Sequence, residues 1–232
     1  MKILGKTVSN KFQSFYKDIV PQIGVPIQFE RGPYRAMGDY RLQDGIARIR
    51  LDTSLMRPHF EETAAHELLH ALQDSELWPT TARSANLPEN SAEAIVGSEL
   101  GALVRDLNVL ETLRTLGFNA DYSNDTRYRN SKRNLTGAAI PAYGSPMFYI
   151  WIMRYCYLAM TQRPNRWFRL RELYLKHAPS IAAKGEELIA VIKKNGWSNP
   201  DQALASMIAI RESLGLTKAQ VIVVDRRTGA RF

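Results

Sequence analysis

Hydrophobic and polar positions repeat with two different periods along this chain, and each change of period marks an element. In residues 8–20 (VSNKFQSFYKDIV), Val8, Phe12, Phe15, Tyr16 and Val20 recur at helical spacing. The period then drops to two: Val25, Ile27 and Phe29 take one face, Gln28 and Glu30 the other. GDYRLQ and IARIRLD follow, divided by Asp44-Gly45, a pair suited to the positive backbone angles of a tight hairpin turn. In the later strand Ala47, Ile49 and Leu51 share a face opposite Arg48 and Arg50. Three short strands in a small antiparallel sheet are the expectation.

Helical spacing then returns. Pro58 suits a first helical position, Glu61 and Glu62 suit a first turn whose dipole favours negative charge, and Pro79 ends the run. A polar stretch leads to a long helix from about Ser91 to Leu116, closed by Gly117. Residues 119–136 are polar and basic without clear period, which predicts a long loop and a boundary. Residues 145–231 read as mostly helical, with VIVVD (221–225) as a late strand and DRRTGARF as a frayed tail. The pattern predicts an α+β fold in three parts. These are a mostly helical core with the small sheet over 1–118, a polar basic linker over 119–144 and a helical C-terminal portion over 145–232.

One segment calls for a membrane test. Residues 138–160 contain a single charge, Arg154, and are long enough to span a bilayer. But Pro141, Gly144 and Pro146 interrupt them, and an arginine near the centre of a span costs roughly 2.5–3.5 kcal/mol. A buried core helix is the expectation. Cys156 is the one cysteine, so no internal disulfide forms and a reducing, cytoplasmic setting fits. The first residues, MKILGKTVSNKF, hold too short an apolar run for a secretion signal.

Charge is uneven. Residues 1–116 carry 13 Lys/Arg against 15 Asp/Glu, a net of 13 − 15 = −2; residues 117–232 carry 18 against 8, a net of 18 − 8 = +10. The excess is therefore C-terminal, and an anionic partner would dock there.

The chemistry lies in FEETAAHELLHALQDSEL, residues 60–77, which holds His66-Glu67-Leu68-Leu69-His70. Histidines four apart project from one helix face, so both can reach one ion through a ring nitrogen. Glu67 lies beside that face, able to touch a water on the metal without ligating it. A metal so held lowers the pKa of its water to about 7, and Glu67 would take the proton and pass it to the leaving amine. Two surface histidines on an ordinary helix are the competing explanation.

HELLHALQD resembles the active-site helix of the zincin metallopeptidases. The extended form with a third histidine is absent, because Gln73 and Glu76 stand where its glycine and histidine would be. The resemblance is therefore to gluzincin-like enzymes. The order of elements over residues 8–116 is most similar to the small ImmA/IrrE-type peptidases; SprT-like proteases match less well. This resemblance implies Zn2+, a protein or peptide substrate, and a third ligand from a glutamate on a later helix. Glu89, Glu93 and Glu99 are the candidates. Glu93 has another explanation, a capping-box spacing from Asn90. Glu99 has none: Ile95, Val96, Ala102 and Leu103 surround it at helical offsets, and a carboxylate there needs a partner or a metal. Glu99 is the expected ligand, with His66 and His70, and Glu67 the expected base. Asp106, two turns on, is a candidate to orient a ligating histidine. Tyr122, Tyr128, Tyr143 and His177 are unranked candidates for oxyanion stabilisation. Residues 46–51 are the candidate edge for pairing an extended peptide.

The basic half permits a different class of function. RYRNSKR (127–133) and RPNRWFRLR (163–171) could grip nucleic acid, the second with Trp167 and Phe168 among its arginines. The bland alternative is a helix with a basic solvent face. A non-catalytic module binding nucleic acid or an acidic protein is thus the rival to a peptidase.

Overall fold

The computed structural model describes residues 1–32, 37–83, 88, 91–119 and 121–232, and among them the chain forms eight helices and seven short strands. The fold is α+β, as the two periods predict. It divides into two units: residues 1–77 with 109–123, and residues 78–108 with 124–232.

In the first unit, β1 (Lys2–Ile3) and β2 (Lys6–Thr7) form a short hairpin before α1 (Asn10–Ile23). Ser9 caps α1, its hydroxyl oxygen accepting from the Phe12 N–H at 3.3 Å. Glu61 in turn accepts from the Ser9 N–H at 2.7 Å and from its hydroxyl at 2.6 Å. That buried carboxylate therefore ties the start of α1 to α2 (Arg57–Ser75). The helix starts at Arg57 with Pro58 second, so Glu61 and Glu62 lie beyond the first turn, not within it. Phe12, Phe15, Ile19 and Ile23 are the buried face of α1, and the Phe12 and Phe15 rings meet Phe118 edge-on.

The sheet is mixed rather than antiparallel. Its order is β3 (Ile27–Arg31), β5 (Ile46–Leu51), β4 (Gly38–Gln43), with β3 parallel to β5 and β4 antiparallel to it. The hairpin turn at Asp44 (φ 53°) and Gly45 (φ 71°) forms as expected. The order follows burial. Ala47, Ile49 and Leu51 are fully buried, and the strand that carries them takes the centre. On the opposite face Arg48 pairs with Glu30 at 2.7 Å, and Arg50 Nε with Asp39 at 2.7 Å. The expectation that residues 46–51 offer an edge to a peptide is thereby overturned. Both sides of β5 are already paired, and its two arginines hold acids of the neighbouring strands.

In the second unit, β6 (Thr80–Ala82) pairs antiparallel with β7 (Ile222–Val224), within the expected late strand. The long helix α3 (Ala92–Thr115) starts behind Ser91, whose hydroxyl oxygen accepts from the Ala94 N–H at 3.1 Å. The stretch expected as a loop is instead helix α4 (Asp121–Gly137). Leu135 is its only buried apolar residue among those described, so apolar periodicity had nothing to detect. Polar ties hold it: Gln162 donates to the Asn124 carbonyl at 2.8 Å, and Arg166 pairs with Asp125.

Helix α5 (Pro146–Thr161) is the expected core helix, with Ile150, Ile152, Met153, Tyr155, Cys156 and Leu158 all buried. No helix of the described residues is long and apolar enough to cross a membrane. Helices α6 (Pro164–His177), α7 (Pro179–Asn195) and α8 (Pro200–Ser213) each open on a proline, where a missing N–H costs nothing. Helices α5 and α7 meet at Gly185: a Cβ there would lie 2.3 Å from the Tyr155 ring. The Tyr155 hydroxyl donates to Glu186 at 2.6 Å, Arg171 donates to the same oxygen at 2.8 Å, and burial pushes the Tyr155 pKa well up.

The end of the chain is not frayed. Val223 and Phe232 exchange backbone hydrogen bonds at 3.2 and 2.9 Å. Asp225, 6% exposed, accepts from Arg227 Nε at 3.1 Å and from the Thr228 hydroxyl at 3.0 Å. Burial works against its charge, but Arg227 and Thr228 outweigh that and hold its pKa below the ordinary carboxylate value.

Candidate metal centre

Helix α2 is flanked by buried residues on most sides: Phe60, Ala64, Ala65, Leu68, Leu69 and Ala71 are at most 4% exposed. The half-buried His66 and His70 sit on its more open stripe. Their Nε2 atoms face each other at 3.0 Å, with the rings inclined at 75°. Two imidazoles on one tetrahedral zinc, at 2.0–2.1 Å each, would place those nitrogens about 3.3 Å apart. The pair thus needs an opening of about 0.3 Å to close on an ion. Without one, a single shared proton satisfies the same contact.

The tautomer of His70 follows from its other nitrogen. Nδ1 lies 3.0 Å from Gln73 Oε1, an oxygen that can only accept, so Nδ1 carries the hydrogen and Nε2 bears the lone pair. This is the form a metal requires. Gln73, 3% exposed, therefore takes for His70 the orienting role for which the sequence offered Asp106. The signal was available in its spacing, one helical turn after His70 on the same face. Glu67, 8% exposed, follows His66 directly on this helix.

Glu93, Glu99 and Asp106 of α3 belong to the second unit. Glu99 accepts from Arg154 Nη2 at 3.0 Å. Two oddities of the sequence thus answer each other: the acid on an apolar stripe, and the lone charge of the apolar helix α5. The stripe is also less buried than its composition implies, since Ile95 is 46% exposed. Asp106 is buried and pairs with Arg127 Nη2 at 3.3 Å. Burial alone would lower the Arg127 pKa, but Tyr157, Asp106 and Glu99 hold it above its ordinary value. Glu93 follows the Ser91 cap in the first turn of α3, where the helix dipole accounts for it. Glu89 and Asn90 lie outside the described residues, as does the side chain of Tyr122. Of the other oxyanion candidates, Tyr143 is 83% exposed and Tyr128 lies under Arg166, 5.9 Å from its ring centroid.

Beside Glu99 a cavity of about 470 Å³ opens among α3, α4 and α5. Ser98, Glu99, Arg127, Asn130, Arg154 and Tyr157 are among its lining residues.

The basic cluster of α6 is largely committed. Arg166 pairs with Asp125, Arg171 with Glu186, and Trp167 packs edge-on against Tyr155 at 4.7 Å. Phe168, 63% exposed, remains at the surface. Cys156 is buried, its thiol directed at the Gly185 carbonyl at 3.4 Å and its pKa raised by burial, which leaves it inert as a nucleophile.

No family model matches the sequence, and no curated protein or solved structure is significantly similar to it.

Proposed function

We propose that the protein is a zinc-dependent peptidase in which His66 and His70 hold the metal and Glu67 is the general base. The observation that carries this reading is the facing pair of Nε2 atoms on α2, with Gln73 fixing the ligating tautomer of His70. The likeness of HELLHALQD to zincin helices implies a glutamate as third ligand, with Glu99 the candidate the sequence favours.

Bound zinc would supply a Lewis acid and an acidified water. The chain's own part is then plain. His66 and His70 present lone pairs from one helix face, Gln73 keeps the proton of His70 on Nδ1, and Glu67 accepts a proton from water and returns it to the leaving amine. The substrate class, protein or peptide, comes from the likeness of HELLHALQD to zincin helices. A reducing, cytoplasmic setting belongs to the same reading and draws on the single, buried cysteine. The rival, a non-catalytic module gripping nucleic acid through the basic half, has less in its favour. Arg166, Arg171 and Trp167 are already engaged within the protein.

Elemental analysis of purified protein tests the ligands. About one zinc per chain is expected in wild type and in Glu67→Gln, and none in His70→Ala. Loss in Glu99→Ala supports Glu99 as the third ligand, and loss in Asp106→Ala instead moves that role. Folded wild type that takes up no supplied zinc would sink the proposal.

A further inference from the structure

We infer that the cavity among α3, α4 and α5 is a binding site for a small carboxylate, held by Arg127 and Arg154 with its apolar arm against Ile95 and Leu158. The cavity lies wholly within the second unit, and the inference does not rest on the His66–His70 pair.

Its volume, about 470 Å³, falls in the range of small-molecule sites, roughly 300–1,000 Å³. Two guanidinium groups line it, and neither is saturated by its acid. Arg154 reaches Glu99 through Nη2 alone at 3.0 Å, and Arg127 reaches Asp106 through Nη2 alone at 3.3 Å. A guanidinium offers five N–H donors in a rigid fork and pairs best when two of them meet one carboxylate. These single-point contacts leave donors for a ligand, and the side chains are 43% and 46% exposed. Arg127 is also held over the Tyr157 ring, its Cζ 4.3 Å from the centroid, so little ordering is required when a ligand arrives. Asn130 adds an amide to the polar wall.

Charge selects the ligand class. Two cations, Arg127 and Arg154, and one acid, Glu99, line the cavity. A singly charged carboxylate balances that lining, whereas a phosphate dianion would set a second negative charge against Glu99. The same cavity explains an exposed apolar side chain. Ile95, 46% exposed, and the buried Leu158 both line it, and a short branched arm would cover Ile95.

Titration calorimetry on the full chain tests this with three probes: 3-methylbutanoate, its neutral amide, and inorganic phosphate. Saturable binding of the acid is expected, with the amide and phosphate each at least about tenfold weaker. Arg154→Gln should weaken acid binding by about tenfold or more. Glu99→Gln keeps every cation and removes the carboxylate competing for Arg154, so it should bind the acid several-fold tighter. The inference is overturned if wild type shows no saturable acid binding, if amide or phosphate binds as well as the acid, or if folded Glu99→Gln binds it no tighter. The Glu99→Gln result stands even if Arg154→Gln fails to fold.

Discussion

His66–His70 and Glu99–Arg154 are both polar pairs on helices with many buried residues, but they are built in opposite ways. The histidines stand four residues apart, and one helical turn brings them together with their supporting Gln73. Glu99 and Arg154 are separated by 55 residues, and only the packing of α3 beside α5 unites them. A pair made by one helix is written in its spacing. A pair made by tertiary packing leaves two separate oddities in the sequence and no sign that they belong together.

The contrast can be broken first at its chemical end. Glu67→Gln should keep zinc and lower peptide hydrolysis by about 10²–10⁴-fold, measured with a quenched fluorescent peptide mixture. An unchanged rate would leave the α2 pair a structural feature only. On the side built by packing, Tyr155→Ala should cost about 3–5 kcal/mol in urea unfolding. Tyr155 is fully buried, with Trp167 and Tyr174 edge-on at 4.7 and 4.9 Å.

Gln73→Ala probes how self-contained α2 is. It removes the acceptor of His70 Nδ1, so zinc affinity should fall about 10–100-fold in a chelator competition, and Gln73→Glu should restore it. Asp225 supplies a pH test of the other unit. Its folded pKa lies below the ordinary value, so its stabilisation is present above the unfolded value and fades as pH falls through the folded one. From about pH 4 downward, wild type should therefore lose stability faster than Asp225→Asn. Parallel losses would remove Asp225 from the account. The smallest effect belongs to Glu99→Gln. The Glu99–Arg154 pair is partly exposed, so unfolding should shift by less than about 1 kcal/mol despite the 3.0 Å contact.

Legibility followed the same divide. The 3.6-residue period located α1, an apolar run located α5, Asp44-Gly45 fixed the β4–β5 hairpin, and Gly117 marked the end of α3. Strand order was hidden, because alternation in Ile27, Phe29 and Ile49 says which face is buried but not which strand is central. Helix α4 was hidden because its anchors, Asn124 and Arg127 among them, are polar and find partners far along the chain. The tail was hidden because Arg227 and Thr228 look like solvent-facing residues until Asp225 is seen buried beneath them. At the candidate site, His66, Glu67 and His70 stood out in the sequence, whereas the partner of Glu99 did not.

Gly185 gives this divide an evolutionary edge. With a Cβ only 2.3 Å from the Tyr155 ring, every single replacement at 185 collides with a side chain itself locked between Trp167 and Tyr174. Escape needs Tyr155 to shrink in the same step, and that forfeits its hydroxyl contact with Glu186. Positions 155 and 185 therefore form a joint trap in sequence space: a saturating mutational library should find both nearly immutable alone and rescue, if any, only in pairs.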